Sequence, residues 1–232
     1  MNFVESIYGS ALNYTFAVLN PFKKMVIHTQ CEVHKYINHQ ALEILENDYY
    51  INEYNFFNNF IGDINEGAVW ADQDFKSSNH FYNPRTDKGL YGRSNAMDLS
   101  IKYYDKCLNL IKIGDYHRAM FYFGAIVHLI QDMTIPQHAN IRLLDDHKQY
   151  ESFVKSSYIH VKEFKAETGA YKLNSLENYI KFNARVAMKI YRKFKKIKND
   201  ETRFHKTTAC TLPLAERTTA GFMVLFFSRV FQ

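Results

Sequence analysis

The sequence predicts an all-α fold, a single-domain multi-helix bundle. Three observations predict it. Apolar residues recur at intervals of three and four through most of the chain. Only 4 Pro and 9 Gly occur among 232 residues, too few for a β-sandwich rich in turns. Two strongly periodic segments also meet at Gly114 and Asp115 with almost nothing between them, as in an antiparallel helix pair.

A chain of 232 residues is long enough for one sizeable core. Hydrophobic residues make up 47% and charged residues 23%, which fits a globular protein and excludes a disordered one. The net charge of +5 favours anionic partners: a membrane surface, a nucleic acid or a phosphorylated substrate. Much of it lies in RKFKKIK, residues 192–198, where a solvated helix end is the ordinary explanation. Cys31, Cys107 and Cys210 show no CxxC spacing, which excludes a disulfide framework and a zinc ribbon.

Residues 1–28 read as an amphipathic N-terminal extension, either removed or packed on the body. Phe3, Val4, Ile7, Tyr8, Ala11, Leu12, Phe16 and Leu19 form its apolar stripe. It lacks the basic start and long apolar run of a signal peptide. No stretch is long and apolar enough to span a bilayer. The segment 31–47 places Val33, Ile37, Leu42 and Leu45 near helical spacing. The segment 94–114 opens on Ser94 as an N-cap and stops at Gly114. The next helix opens on Asp115 and runs into HLIQDM, where His128 and Asp132 interrupt an apolar face. Further helices are expected over 147–165, 176–198 and 215–231. Between 62 and 93 the periodicity lapses into acidic residues and turn formers, so a long loop is expected there.

His128 and Asp132 are four apart, so a helix sets them side by side, about 5–6 Å between Cβ atoms. Pro136 disturbs that helix, and His138 follows just past it. His147 and Glu151 repeat the four-residue spacing, and Asp72, His80 and His34 lie upstream. Alone, His128 is the hydrogen-bonded histidine of an ordinary core, and either pair is an ordinary ion pair. Two such pairs, a broken helix and a carboxylate on an apolar face together point to a metal site. A buried carboxylate without a partner is costly, and a cation removes that cost. Imidazole and carboxylate suit zinc, which takes about four ligands, so these eight candidates indicate more than one ion.

At these residues the chain resembles the bacterial zinc-dependent phospholipase C family. HFYNP at His80 is similar to its loop ligand. AMFYFGAIVHLIQDMTIPQHAN, residues 119–140, resembles its central helix and Pro-x-His-Ala-Asn turn. HKQYESFV at His147 and AERTTAGFMVLFF at 215–227 resemble its last ligand pair and closing helix. The similarity runs with gaps from about residue 29 to 232, which sets the expected catalytic domain. It implies an all-α fold around two or three zinc ions. One would be held by Asp72, His80, His128 and Asp132. A second would be held by His138, His147 and Glu151, and a third by Asp132 and His34. The implied reaction is hydrolysis of a phospholipid phosphodiester at a membrane surface, giving diacylglycerol and a phosphorylated head group. Asp72 would act as both ligand and general base, although the sequence alone does not separate it from Asp63 or Asp74.

The chain departs from that family in two places. The family completes its third zinc with the amine and carbonyl of an N-terminal Trp, whereas the only Trp here is Trp70. In HTQCEVH, His28, Cys31 and His34 recur every three residues. Cys31 is either a possible extra metal ligand in place of that amine or a small buried apolar residue. Second, the positions matching the aromatic residues that hold choline in the family are Gln73 and Ser77. Phe75 and Tyr82 are the remaining substrate-binding candidates. The resemblance implies a secreted protein, although no signal peptide is recognisable. A monomer is expected, and no appended C-terminal lipid-binding domain, because the sequence stops where the catalytic fold is expected to end. Two other readings stay open: a zinc nuclease of the same fold, and a non-catalytic zinc-stabilised membrane-binding protein. Nucleic acid is the less expected partner, because the nuclease's last ligand pair tends to be His-x3-Asp.

Overall fold

A computed structural model describes residues 31–73, 79–90, 94–142 and 146–231. The N-terminal stripe, His28, Asp74, Phe75 and Ser77 lie outside the described residues. The fold is all-α, as the periodicity predicts. Its helices are α1 (Glu32–Asn47), α2 (Ile51–Asn59), α3 (Ile61–Ala71), α4 (Ala96–Lys112), α5 (Tyr116–Asp132), α6 (Pro136–Asn140), α7 (His147–Ser157), α8 (Leu176–Phe194) and α9 (Asp200–Phe231). A 3-10 turn at Lys162–Phe164 lies between α7 and α8. Among the described residues, no helix is long and apolar enough to cross a membrane.

Helix α5 is the centre of the bundle. It packs on α3 and α4, and also meets α8 and α9. All but five of its residues are buried, so its interior faces have to match their neighbours closely. Phe123 on α5 stacks on Phe57 of α2 and Phe222 of α9, with centroids 5.0 and 5.4 Å away. Phe226 meets the same ring edge-on at 4.8 Å. This aromatic cluster lies toward the start of α5, and the candidate ligands lie toward its end.

Two helix starts differ in kind. Asp115 caps α5 as the sequence predicts, its side chain accepting from the Arg118 amide. The cap of α4 is Asn95 rather than Ser94, because the Asn95 side chain accepts from the Asp98 amide at 3.0 Å. Helix α5 ends at Asp132, four residues before Pro136, and Pro136 then opens α6 at its first turn. A proline fits that position because its missing N–H is not needed there.

Three expected spans are corrected. The loop expected over 62–93 begins with a helix, since α3 runs to Ala71. Gly67 reads as a turn former, but it is there for contact. A Cβ on Gly67 would lie 1.8 Å from the Phe121 carbonyl oxygen, and one on Gly124 would lie 2.0 Å from that of Ile64. The two glycines let α3 and α5 touch backbone to backbone. The helix expected at 215–231 starts at Asp200 and passes through Pro213. Asn199 caps it by accepting from the Thr202 amide at 2.8 Å. The helix expected over 147–165 splits after Ser157 into α7 and the 3-10 turn.

Candidate metal centre

Asp132 is the hub of the site. Its side chain leaves the last turn of α5 with both oxygens facing imidazoles. Oδ2 lies 2.8 Å from His80 Nδ1 and 3.2 Å from His128 Nε2. Oδ1 lies 3.6 Å from His34 Nε2. His80, His128, Asp132 and His138 are all buried, at 1, 1, 3 and 4% exposure, so water does not satisfy them. The four-residue spacing on α5 brings His128 to Asp132, α1 brings His34, and the turn after Pro136 brings His138.

Surrounding polar groups fix how these rings point. Gln131 Nε2 donates to Asn38 Oδ1 at 2.8 Å and to Thr219 Oγ1 at 3.2 Å. That leaves Gln131 Oε1 to accept from His34 Nδ1 at 2.7 Å. The neutral His34 ring therefore presents a bare Nε2 lone pair to the Asp132 carboxylate. Burial pushes the His34 imidazole down to about 4, and the His128 charge adds to the effect, so the neutral ring is the relevant one. Lone pair facing carboxylate is repulsive unless a cation lies between them. His138 shows the same pattern. Its Nδ1 is 3.2 Å from the His80 carbonyl oxygen, which leaves Nε2 facing His147 Nε2 at 3.0 Å. A histidine that spends one nitrogen on a backbone carbonyl or amide is the usual arrangement of a metal ligand.

The donor set fits zinc on a second ground. Asp132 Oδ2, which faces His80 Nδ1 and His128 Nε2, is buried without a hydrogen-bond partner. The 2.8 Å approach to Asp132 Oδ2 lacks the alignment of a hydrogen bond, although burial alone does not leave this carboxyl neutral. Burial would raise its pKa, but the His128 and His138 charges outweigh that and hold it well below the usual carboxylate range. Two nitrogens on one tetrahedral zinc are about 3.3 Å apart. The His128–His80 and His138–His147 nitrogen pairs, at 3.3 and 3.0 Å, have about that spacing.

Three groups have ligand atoms that all lie within 4.8 Å of one another: His34, His128 and Asp132; Asp72, His80 and His128; and His138, His147 and Glu151. All eight sequence candidates appear among them. Asp72 caps the C-terminus of α3, the helix that sequence reading took for a loop. His147 opens α7 and is 3.0 Å from Glu151 Oε1, which is half exposed. Asp146, just before it, has a left-handed φ of 55° and is held by Arg203 at 2.7 Å. Asp63 is elsewhere, bonded to His117 at the surface.

The remaining candidates stand apart. Cys31 belongs to none of the three groups. Its Sγ points at Asp72 Oδ2, 3.4 Å away, and burial followed by the Asp72 charge pushes its thiol pKa up. All three cysteines are free thiols. Tyr82 is buried and donates to Asp87 Oδ1 at 2.5 Å, so it does not face substrate space. Sequence reading missed Gln131, Asn38 and Thr219. The available signal was an amide at a buried position of an apolar helix, three residues after His128.

A cavity of about 440 Å³ opens beside the cluster. His34, Asp72, Gln131 and Glu151 are among its lining residues, with others from α1, α7 and α9 and from the turn at Thr134 and Ile135.

Comparison with known proteins follows the same residues. The family model described as zinc dependent phospholipase C matches residues 33–206. A phospholipase C of Clostridium novyi is 25% identical over 231 residues, covering 83% of this chain and 58% of its own length. A phospholipase C of Listeria monocytogenes serovar 1/2a is 29% identical over 123 residues, covering 49% of this chain and 43% of its own. Among solved structures, an alpha toxin from Clostridium absonum matches with TM-score 0.75 at 20% identity, covering 86% of this chain and 65% of that one. A Clostridium perfringens alpha-toxin from an avian strain matches with TM-score 0.71 at 20% identity, covering 85% and 63%. These two structures show the shared fold. The chain spans less than two thirds of the length of each of these four relatives.

Proposed function

The chain belongs to the zinc-dependent phospholipase C family, and from that premise we propose that it hydrolyses the phosphodiester of glycerophospholipids. The products are diacylglycerol and a phosphorylated head group. Zinc dependence comes with the family. The observation that carries the reading is the convergence of eight His, Asp and Glu side chains, three of which, His34, Asp72 and Glu151, line a cavity of about 440 Å³. A purely structural zinc needs about four ligands and no adjoining cavity.

The residues that would hold the metal are Asp72, His80, His128 and Asp132 for one ion, and His138, His147 and Glu151 for a second. His34 and Asp132 Oδ1 offer a place for a third. When bound, zinc supplies a Lewis acid for the phosphate oxygens and an acidified water. The protein's own part is positioning and proton transfer. Gln131 fixes the His34 ring, and the His80 carbonyl fixes His138. Asp72 is half-buried at the cavity edge, where its carboxylate takes the proton from the attacking water as general base. The catalytic unit in this reading spans 29–232. The substrate is met at a lipid surface, to which the +5 charge is suited when the lipid is anionic.

The test is diacylglycerol release from mixed phospholipid vesicles by the zinc-loaded protein, with and without chelator. Release that chelator abolishes is expected. No release from protein shown to hold zinc, together with cleavage of single-stranded DNA, would replace this reading with the nuclease one.

A further inference from the structure

The positive charge of the chain is concentrated in one segment. Residues 178–199 hold eight Lys and Arg and no Asp or Glu. That exceeds the net +5 of the whole chain, so the remainder is net acidic. Lys181, Arg185, Lys189 and Lys193 stand four apart on α8, which puts them in one unbroken row about 18 Å long. Arg185, Lys189 and Lys193 are exposed and Lys181 is half-buried. Ile180, Asn183, Ala187 and Ile190, on the other side of the helix, are buried against the bundle. The row therefore points outward.

The helix dipole does not account for this row. It favours cations only in the last turn, which holds Arg192 and Lys193. Lys181, Arg185 and Lys189 come before that turn. Three successive like-charge pairs at four-residue spacing destabilise a helix instead. Elsewhere, helical cations find an acid three residues away: Lys35 with Glu32, Arg118 with Asp115 and Arg203 with Asp200. Among the described residues, no carboxylate lies within ion-pair distance of any of the four row cations. A repulsive row without a counter-charge in its own chain is matched to an anion outside it.

A nucleic acid is the poorer match. Single strands stack their bases on open aromatic faces, and the rings of this helix are already covered. Arg142 and Lys195 lie 5.2 and 5.9 Å from the Tyr191 centroid, and Lys193 lies 5.2 Å from that of Phe194. Phe182 meets Tyr171 edge-on. Six of the eight cations are lysines, which act as point charges rather than as planar forks. An anionic bilayer asks only for that, since each basic residue near its surface adds to the attraction. The end of the helix also lies close to the metal centre. Tyr191 and Lys195 line one cleft with Pro136 and Asp146, the residue before His147.

We propose that the basic row of α8 docks the protein on the surface of an anionic phospholipid bilayer. The attraction is electrostatic, between a line of cations and lipid phosphates and carboxylates, and needs no segment inserted into the hydrocarbon. The assignment rests on the phospholipase C reading for its choice of lipid over other polyanions.

Sedimentation of the zinc-loaded protein with phosphatidylcholine vesicles, made with or without phosphatidylserine, tests it, with diacylglycerol measured in the same tubes. Phosphatidylserine should strengthen binding, and added salt should weaken it. The variant carrying Lys181→Gln, Arg185→Gln, Lys189→Gln and Lys193→Gln loses affinity for the anionic vesicles roughly 5-fold per charge, on the order of 100-fold or more together. Its Tm equals or exceeds the parent's, because the repulsion along the row is gone. A control of the same net charge carries Lys88→Gln, Lys102→Gln, Lys112→Gln and Lys206→Gln, all at exposed positions, and binds nearly as the parent does. No gain from phosphatidylserine, or an equal loss in the two variants, overturns the assignment. Binding of single-stranded DNA through the row, with none to the anionic vesicles, overturns it in favour of a nucleic acid. If the row binds anionic vesicles while no diacylglycerol appears, the docking surface stands and the proposed reaction fails. If diacylglycerol is released with no dependence on the row, the reverse follows.

Discussion

His34 sits between Gln131 and Asp132, with Nδ1 2.7 Å from the amide oxygen and Nε2 3.6 Å from the carboxylate. Neighbouring residues on α5 thus grip the two nitrogens of one ring in opposite ways. Gln131 takes the N–H, and Asp132 is left facing the lone pair.

Gln131→Met should therefore weaken metal binding without touching a ligand. The His34 ring loses its fixed orientation, and affinity for the most weakly held zinc falls on the order of 10- to 100-fold. Competition against a chelating dye reads this directly. Unchanged affinity would mean that Gln131 only packs.

Removing zinc should abolish turnover and leave the helices in place. The cluster of Phe57, Phe123, Phe222 and Phe226 is buried away from the ligands. Metal at 1,000 times its Kd adds about 4 kcal/mol to stability, so Tm drops on chelation. Far-UV circular dichroism at 20 °C should be unaltered. A loss of helix on chelation would make the zinc structural.

Gly67→Ala or Gly124→Ala should destabilise the protein by about 2 kcal/mol or more, because the new methyl meets backbone rather than a flexible side chain. Thermal unfolding of either variant should come several degrees earlier. Zinc should also be held less tightly, since α3 carries Asp72 and α5 carries His128 and Asp132. A Tm equal to the parent's would show that the two helices are not in backbone contact.

Glu216 predicts a pH dependence unrelated to the ligands. Burial pushes its carboxyl from 4.5 up to about 8, despite the Ala166 amide donating to Oε2 at 2.6 Å. The folded protein then keeps a proton that the unfolded chain releases. Stability from this group is complete below pH 4.5 and is lost as pH rises through 8. The slope is at most about 1.4 kcal/mol per pH unit. Glu216→Gln should abolish that slope and be the more stable protein at pH 8.5. Denaturant midpoints for the two proteins that stay parallel from pH 5 to 9 would contradict it.

Much of this was legible in the sequence, and the failures have physical causes. His128 and Asp132 were readable because a four-residue spacing has one geometric meaning on a helix. Asp115 was readable as a cap for a similar reason. Gly67 was misread because the same absence of Cβ serves a turn and a close helix crossing, and only the partner backbone distinguishes them. The first half of α9 was missed because Pro213 costs a helix about 3 kcal/mol locally. Burial of Phe204, Leu212 and Leu214 on either side of it offsets that cost. Gln131 was passed over because its role depends on Asn38 and Thr219, 93 and 88 residues away. Phe75 and Tyr82 were chosen as aromatic neighbours of ligands, and Tyr82 proves to be tied to Asp87 instead.

The most direct test of the central claim is an anomalous difference map from crystals of the zinc-loaded protein, measured on both sides of the zinc edge. The account predicts peaks beside Asp132 and His128, and between His138, His147 and Glu151. A zinc-containing crystal with its peaks elsewhere, or with these side chains hydrogen-bonded only to one another, would contradict it.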